Sequence, residues 1–225
     1  YDTLFADQLD LLLKIRAGEK VTWSGGHRAP LSNLGVYPRP IQNPLPVWVA
    51  VGGTPESVVR AGSLGLPLAL AIIGGEPERF APLVDLYREA AQRADHAPAG
   101  LRVGINSHGY VADTAETARS ESFPSIAEAM SRIGRERGWP PTTPQALAGA
   151  ATLRGALFVG APEQLIEKIL YQYEFFRHDR FLIQFSVGAL PHEGLMHAIE
   201  LFGTKVAPVV RKEIAARKAA TVVPA

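Results

Sequence analysis

The feature that most constrains this chain is a repeated alternation. A short, nearly unbroken apolar run is followed by a glycine stop and then by an amphipathic helical pattern. Val47-Trp48-Val49-Ala50-Val51 ends at Gly52-Gly53, and Leu66–Ile73 ends at Gly74-Gly75. Leu101–Val111 is a third, more alternating run, and Arg180–Val187 is a fourth that ends at Gly188. Unbroken apolar runs fit strands buried on both faces, as parallel strands are. The intervening segments carry apolar stripes at helical spacing: Phe80, Leu83, Val84, Tyr87, Ala90 and Ala91; Leu165, Ile166, Ile169, Leu170 and Tyr173; Leu195, Ile199, Phe202 and Val206. Strand followed by helix, four times over, predicts an α/β fold with a parallel sheet.

The remaining segments are less regular. Residues 3–17 read as an amphipathic helix with Phe5, Leu9, Leu12 and Leu13 on one stripe and Gly18 as its stop. Residues 21–46 form a Pro/Gly-rich connecting segment, and 140–157, with Pro140, Pro141 and Pro144, reads as a loop or lid insertion. Asp113 with Glu116 predicts a capping box opening the helix after the third strand. The Lys/Arg/Ala-rich tail past Arg211 is expected to fray. The whole chain, 1–225, is read as a single α/β domain. Four strand–helix units suit an open doubly wound sheet or one half of a closed barrel; a complete (β/α)8 barrel needs about 250 residues and eight strands.

Charge and composition exclude several classes. With 23 Lys and Arg against 22 Asp and Glu, the net charge of +1 gives no basic excess for a nucleic-acid backbone. The absence of cysteine removes disulfides, thiolate metal sites and a cysteine nucleophile. No His-x-x-His or His-Glu-x-x-His spacing occurs, so no metal site is expected. The apolar runs are far shorter than the ~20 residues that span a bilayer, so no membrane segment is expected. No basic stretch followed by an apolar segment opens the chain, and the expected location is cytoplasmic. Tyr1 in place of Met is compatible with part of a longer product.

One segment carries chemistry. In Val47–Gly62 a strand runs into Gly52-Gly53, Thr54 sits where an N-cap would, Pro55 suits the first helical position, and Ser57 stands at the third. The free amides at Glu56 and Ser57 would point toward the strand's carboxyl end, and two glycines allow close approach of a ligand to the backbone. The hydroxyls of Thr54 and Ser57 complete an anion cup of the phosphate-binding type. The same residues also make an ordinary strand-to-helix turn, and Glu56 would repel a phosphate unless it faces solvent. Neither a P-loop nor a Gly-x-Gly-x-x-Gly fingerprint is present.

Four segments together resemble the carboxyl-terminal half of the bacterial luciferase-like, flavin-dependent monooxygenases. They are Tyr37-Pro-Arg-Pro-Ile-Gln-Asn-Pro-Leu-Pro-Val-Trp-Val-Ala; Gly52-Gly53-Thr54 through Gly65-Leu66-Pro67; Val159-Gly160-Ala161-Pro162-Glu163; and Gly188-Ala-Leu-Pro-His-Glu with Leu201-Phe-Gly-Thr-Lys-Val-Ala-Pro. The likeness covers nearly the whole chain and rests on the order and spacing of these segments.

The resemblance implies a (β/α)8 TIM barrel of which this chain forms the second half, strands 5–8. It implies reduced FMN as cofactor, with O2 and a small-molecule organic substrate. Gly52, Gly53, Thr54 and Ser57 fall where the family holds the cofactor phosphate. Bacterial luciferase has an acid at the position of Gly53, so that contact could only be backbone here. Ile73, Gly74, His108 and Ser186, at strand carboxyl ends, would line the substrate mouth. The deazaflavin F420, used in hydride transfer, is the alternative cofactor, and a flavin-binding relative without turnover is a further alternative. No nicotinamide fingerprint is present, so reduced flavin would come from a separate reductase. A half barrel would leave strand edges exposed, so a homo-oligomer or a covering partner is expected. No Gly-x-Ser-x-Gly elbow is present to mark a serine triad, and catalytic residues are unassigned. His108 and His192 stand nearest the mouth, while His96, His178 and His197 read as surface or helix positions.

Overall fold

The computed structural model describes residues 2–221. Contacts divide the chain into two compact units, Tyr1–Val47 and Trp48–Ala225.

The first unit holds helix α1 (Asp2–Ala17) and an antiparallel hairpin, β1 (Lys20–Trp23) and β2 (Leu31–Gly35), within the 21–46 segment. Its small core is Leu11, Val21 and Trp23, with Ile15 and Leu31 against it. Trp23 Nε1 donates to Asp10 Oδ2 at 2.8 Å, which satisfies the indole as it is buried. The buried positions of α1 are Leu9 and Leu11, whereas Leu12, expected on the stripe, is 40% exposed.

The second unit is an α/β layer structure. Its elements are β3 (Val49–Val51), α2 (Pro55–Ser63), β4 (Leu68–Ala71), α3 (Ala81–Arg93), β5 (Val103–Val111), α4 (Ala115–Arg137), α5 (Pro144–Ala150), β6 (Phe158–Gly160), α6 (Pro162–Phe176), β7 (Arg180–Gln184), α7 (His192–Leu201) and α8 (Ala207–Thr221). A π-helical turn at Phe202–Val206 joins the last two helices. α8 runs to Thr221 through the tail expected to fray, whose last residues, 222–225, lie outside the described residues.

All strand pairings in this unit are parallel. The order is β3-β4-β5, with β7 on β5 along Gly104–His108 and β6 on β5 along Gly109–Val111. The parallel sheet predicted from the sequence is therefore present, with one strand more than the apolar runs indicated. β6 is only three residues long, too short to show a period, and it lies beside the segment read as an insertion. The closed eight-stranded barrel implied by the resemblance is not formed by the described residues: the sheet is open, with β3 paired to β4 and β7 to β5.

Helix–sheet packing fixes α2. Its buried face is Val58, Ala61 and Gly62, set against α3. A Cβ on Gly62 would lie 2.4 Å from the Tyr87 carbonyl oxygen, so glycine permits the two helices to approach. Tyr87 is itself fully buried and donates from its hydroxyl to Leu66 O at 3.0 Å. Farther along, α4 is capped by Thr114, whose side chain accepts from Thr117 N at 3.1 Å. The expected cap, Asp113, instead pairs with His197 Nε2 at 2.8 Å.

Candidate functional site

The site is built where strands end. After Val51 the chain passes through Gly52 and Gly53 into α2. Gly53 has φ +127°, a conformation that side-chain-bearing residues rarely adopt. Nothing lies within 4 Å of a Cβ placed on Gly52. Thr54 occupies the N-cap in extended conformation, yet its side chain makes no capping hydrogen bond. The first amide of α2 to close on the backbone is Val58 N, to Thr54 O at 3.3 Å. The amides of Glu56 and Ser57 therefore precede the helix ladder, where a helix N-terminus attracts anions. Glu56 is exposed to solvent, so its carboxylate can turn away from a bound anion.

The strand register puts the other residues in rows. Val49, Val51, Leu68, Leu70, Val103 and Ile105 are each 4% exposed or less and form the face under the helices. The alternate residues stand on the opposite face. Register pairs Ala50 with Ala69, Ala69 with Gly104, and Gly104 with Arg180 in the first row. The next row is Ala71, Asn106 and Leu182, and the one above it is His108 beside Gln184. This face is open: Ala50 and Gln184 are exposed and Leu182 is 46% exposed. Ile73, 55% exposed, and Ser186, exposed, follow on the same alternation beyond the ends of β4 and β7.

At the amino end of the open face, Trp48 covers Gly104, with a ring carbon 3.1 Å from where a Cβ would stand. The Arg180 guanidinium lies 4.8 Å from the Trp48 ring centroid. Trp48, just ahead of β3, is thus a packing residue. A cavity of about 500 Å³ lined by His178, Phe181, Phe202 and Ile214 lies at this amino end of β7, away from the glycine turn.

The predicted residues do not all share one surface. The turn residues Gly52, Gly53, Thr54 and Ser57 are contiguous around the start of α2. Ile73 and Gly74 follow β4, the immediate neighbour of β3. Asn106 and His108 stand on the open face, but Ser107 between them is fully buried under the helices, with no hydrogen-bond partner for its Oγ. Gly188 has φ +82°, and a Cβ there would lie 2.3 Å from Ser125 Oγ, so the loop after β7 is clamped to α4. His192 opens α7 and is exposed.

Burial sets the electrostatics. His108 is half-buried, and burial pushes its imidazole pKa below its ordinary value. His178, read from the sequence as a surface or helix position, is 4% exposed, and burial pushes it down to about 4. It packs edge-on to Tyr173 at 5.6 Å between centroids. Gln184 gave no signal of its own in the sequence; only its register with His108 draws it into the site. Among the described residues no cluster of three His, Asp or Glu is placed to hold a metal ion. No helix among them is long and apolar enough to cross a membrane.

The family profile of the luciferase-like monooxygenases matches residues 2–178. This chain belongs to that family. Its curated relative y4vJ from Sinorhizobium fredii is 23% identical over 222 residues, covering 94% of this chain and 62% of that protein. Among solved structures, monooxygenase RslO1 from Streptomyces bottropensis superposes with a TM-score of 0.71 at 23% identity, over 91% of this chain and 60% of its own. The coenzyme F420-dependent tetrahydromethanopterin reductase of Methanopyrus kandleri gives 0.65 at 17%, over 92% and 63%. The oxygenating constituent of 3,6-diketocamphane monooxygenase from Pseudomonas putida, solved with FMN, gives 0.60 at 19%, over 90% and 62%. The chain thus spans about three fifths of the length of these luciferase-like relatives. The solved structures it resembles include an F420-dependent reductase and a monooxygenase bound to FMN, and that likeness carries the fold.

Proposed function

We propose that this chain supplies strands 5–8 of a luciferase-like (β/α)8 barrel and holds the phosphate of reduced FMN at the Gly52–Ser57 turn. The observation that carries this reading is the turn itself: a positive-φ glycine, an open position at Gly52, and two amides ahead of the helix ladder at the carboxyl end of a parallel strand. The small residues of the open face support its reading as a barrel interior. FMN, when bound, would supply the oxygen chemistry, and a separate reductase would deliver it reduced. The chain's own part is to grip the phosphate through backbone and hydroxyl groups and to offer the strand ends Ile73, Gly74, His108 and Ser186 to a small organic substrate. F420 is the second reading, favoured by the likeness to the Methanopyrus kandleri reductase. A relative that binds flavin without turnover is a third.

Titration with FMN and with F420, followed by fluorescence, tests the site. A Thr54→Ala/Ser57→Ala pair is expected to weaken the cognate cofactor about tenfold. Unchanged affinity in that pair, or no saturable binding of either cofactor, would remove the assignment. Oxygen consumption in the presence of reduced FMN and a panel of substrates separates a monooxygenase from a binding protein.

A further inference from the structure

The cavity at the amino end of β7 contains a buried polar group that its surroundings leave unanswered. His178 is 4% exposed, and among the described residues neither of its ring nitrogens has a hydrogen-bond partner. A buried polar atom left unpaired is costly, so such a group needs a partner of some kind. The space beside it is about 500 Å³, within the ~300–1,000 Å³ of small-molecule pockets. Buried Ile169 and Val210, with half-buried Phe202 and Ile214, make its wall apolar. Four charged residues also line it: Asp179, Arg180, Arg211 and Lys218. Two of these are engaged elsewhere. Asp179 accepts from Val103 N at 3.0 Å, and Arg180 lies over the Trp48 ring. Arg211 and Lys218 are exposed on α8, seven residues and so about two turns apart, on one face of the helix. Among the described residues no carboxylate pairs with either, because Glu174 of α6 and Glu213 of α8 are both taken by Arg217. Burial holds the His178 pKa at about 4; Asp179 opposes this, and Lys218 stands near enough to add to it.

We propose that this cavity binds a small amphipathic monocarboxylate, its head between His178 and Lys218 and its aliphatic tail along Phe202, Val210 and Ile214. The neutral imidazole has one N–H to donate, and a carboxylate oxygen accepts it. A hydrogen bond to a charged acceptor is roughly twice as strong as one between neutral groups. The Lys218 ammonium supplies the opposite charge that an anion needs when it leaves water. Arg211, on the same face of α8, adds a second positive charge at the mouth. An amine would meet two cations there, and a ketone would gain nothing from their charge. The cavity lies at the amino end of β7, and the Gly52–Ser57 turn at the carboxyl end of β3, so occupancy here is independent of a cofactor there.

Calorimetry on the full chain with decanoate, decylamine and 2-decanone reads the head-group preference. Decanoate should bind one per chain and at least tenfold tighter than either of the others. Lys218→Gln should weaken decanoate about tenfold and Arg211→Gln about threefold. Both side chains are exposed, so neither change should move the melting temperature of the free protein. Ala215→Trp, at an exposed lining position, should fill the mouth and abolish saturable binding. In protein labelled with ¹⁵N-histidine, decanoate should shift the His178 ring nitrogens and leave those of His108 in place. Equal binding of decylamine or 2-decanone, undiminished affinity in Lys218→Gln or Ala215→Trp, or no saturable binding of decanoate overturns the proposal. So does an unshifted His178, and a shift at His108 in its stead would put the acid on the open face.

Discussion

Lys168 Nζ donates a hydrogen bond to the carbonyl of Leu157 at 2.7 Å, deep beneath α6. The same ammonium reaches Thr152 O at 2.6 Å and Ala150 O at 3.2 Å, and it lies 4.9 Å from the Phe158 ring centroid. Three carbonyls from the end of the 140–157 segment thus converge on one side chain that is 3% exposed. Burial pushes its pKa down to about 7, and the three carbonyls pull the other way by favouring the ammonium. Replacement by methionine keeps the stem and strands the acceptors. Lys168→Met is expected to cost roughly 1–3 kcal/mol, the range for buried polar groups left unpaired. Urea unfolding measures it; an unchanged midpoint would show that the loop finds other donors.

Acid should weaken the protein through His178. Its folded pKa is about 4, well below the ordinary histidine value, because burial disfavours the cation; nearby Lys218 adds to this and Asp179 opposes it. The folded state therefore binds fewer protons than the unfolded chain. The histidine carries no penalty above about pH 6.5, and stability falls as pH drops from there toward 4. A displacement of this size corresponds to an effect on the order of 3 kcal/mol. His178→Phe should flatten this part of the profile. Denaturant midpoints of both proteins at pH 7, 5.5 and 4.5 give the difference, and parallel curves would contradict it.

Gly62 holds α2 against α3, and α2 carries the candidate phosphate turn. Gly62→Ala places a methyl 2.4 Å from the Tyr87 carbonyl oxygen and 2.9 Å from Ala90 Cβ. The helices must part, at a cost of about 1–3 kcal/mol, typical of overpacking. Thermal melting reports the loss. Cofactor affinity should fall with it, because the helix start moves with the helix.

Gly53 should be intolerant for a different reason. A Cβ there meets nothing closer than Phe80 at 4.0 Å, so space is not the obstacle. The backbone is, at φ +127°. Gly53→Ala is expected to cost roughly 1–3 kcal/mol through strain at the turn and to weaken cofactor binding. Gly52→Ala, open on its side-chain flank, serves as the control for melting temperature.

The strand–helix rhythm was readable because three of the four apolar runs had a glycine after them and helical stripes lay between the runs. Where those marks were missing, the reading failed. β6 has three residues and no period. His178 has the composition of a surface residue, and only its seat beneath Tyr173 and beside Phe181 makes it a core group. Asp113 and Glu116 had the spacing of a capping box, but Thr114, one residue on, reaches the Thr117 amide. At the site, the glycine turn announced itself through residue types. The partnership of His108 with Gln184 did not, because it depends on a register between segments 76 residues apart.

The alanines and glycine of the first row have a practical corollary. With Trp48 and Arg180 closing the amino end, the short side chains of Ala50 and Ala69 keep the floor of the open face low. Alanine-to-valine exchanges there would raise that floor stepwise and thin the space above it, while leaving the glycine turn at the far end of the strands untouched.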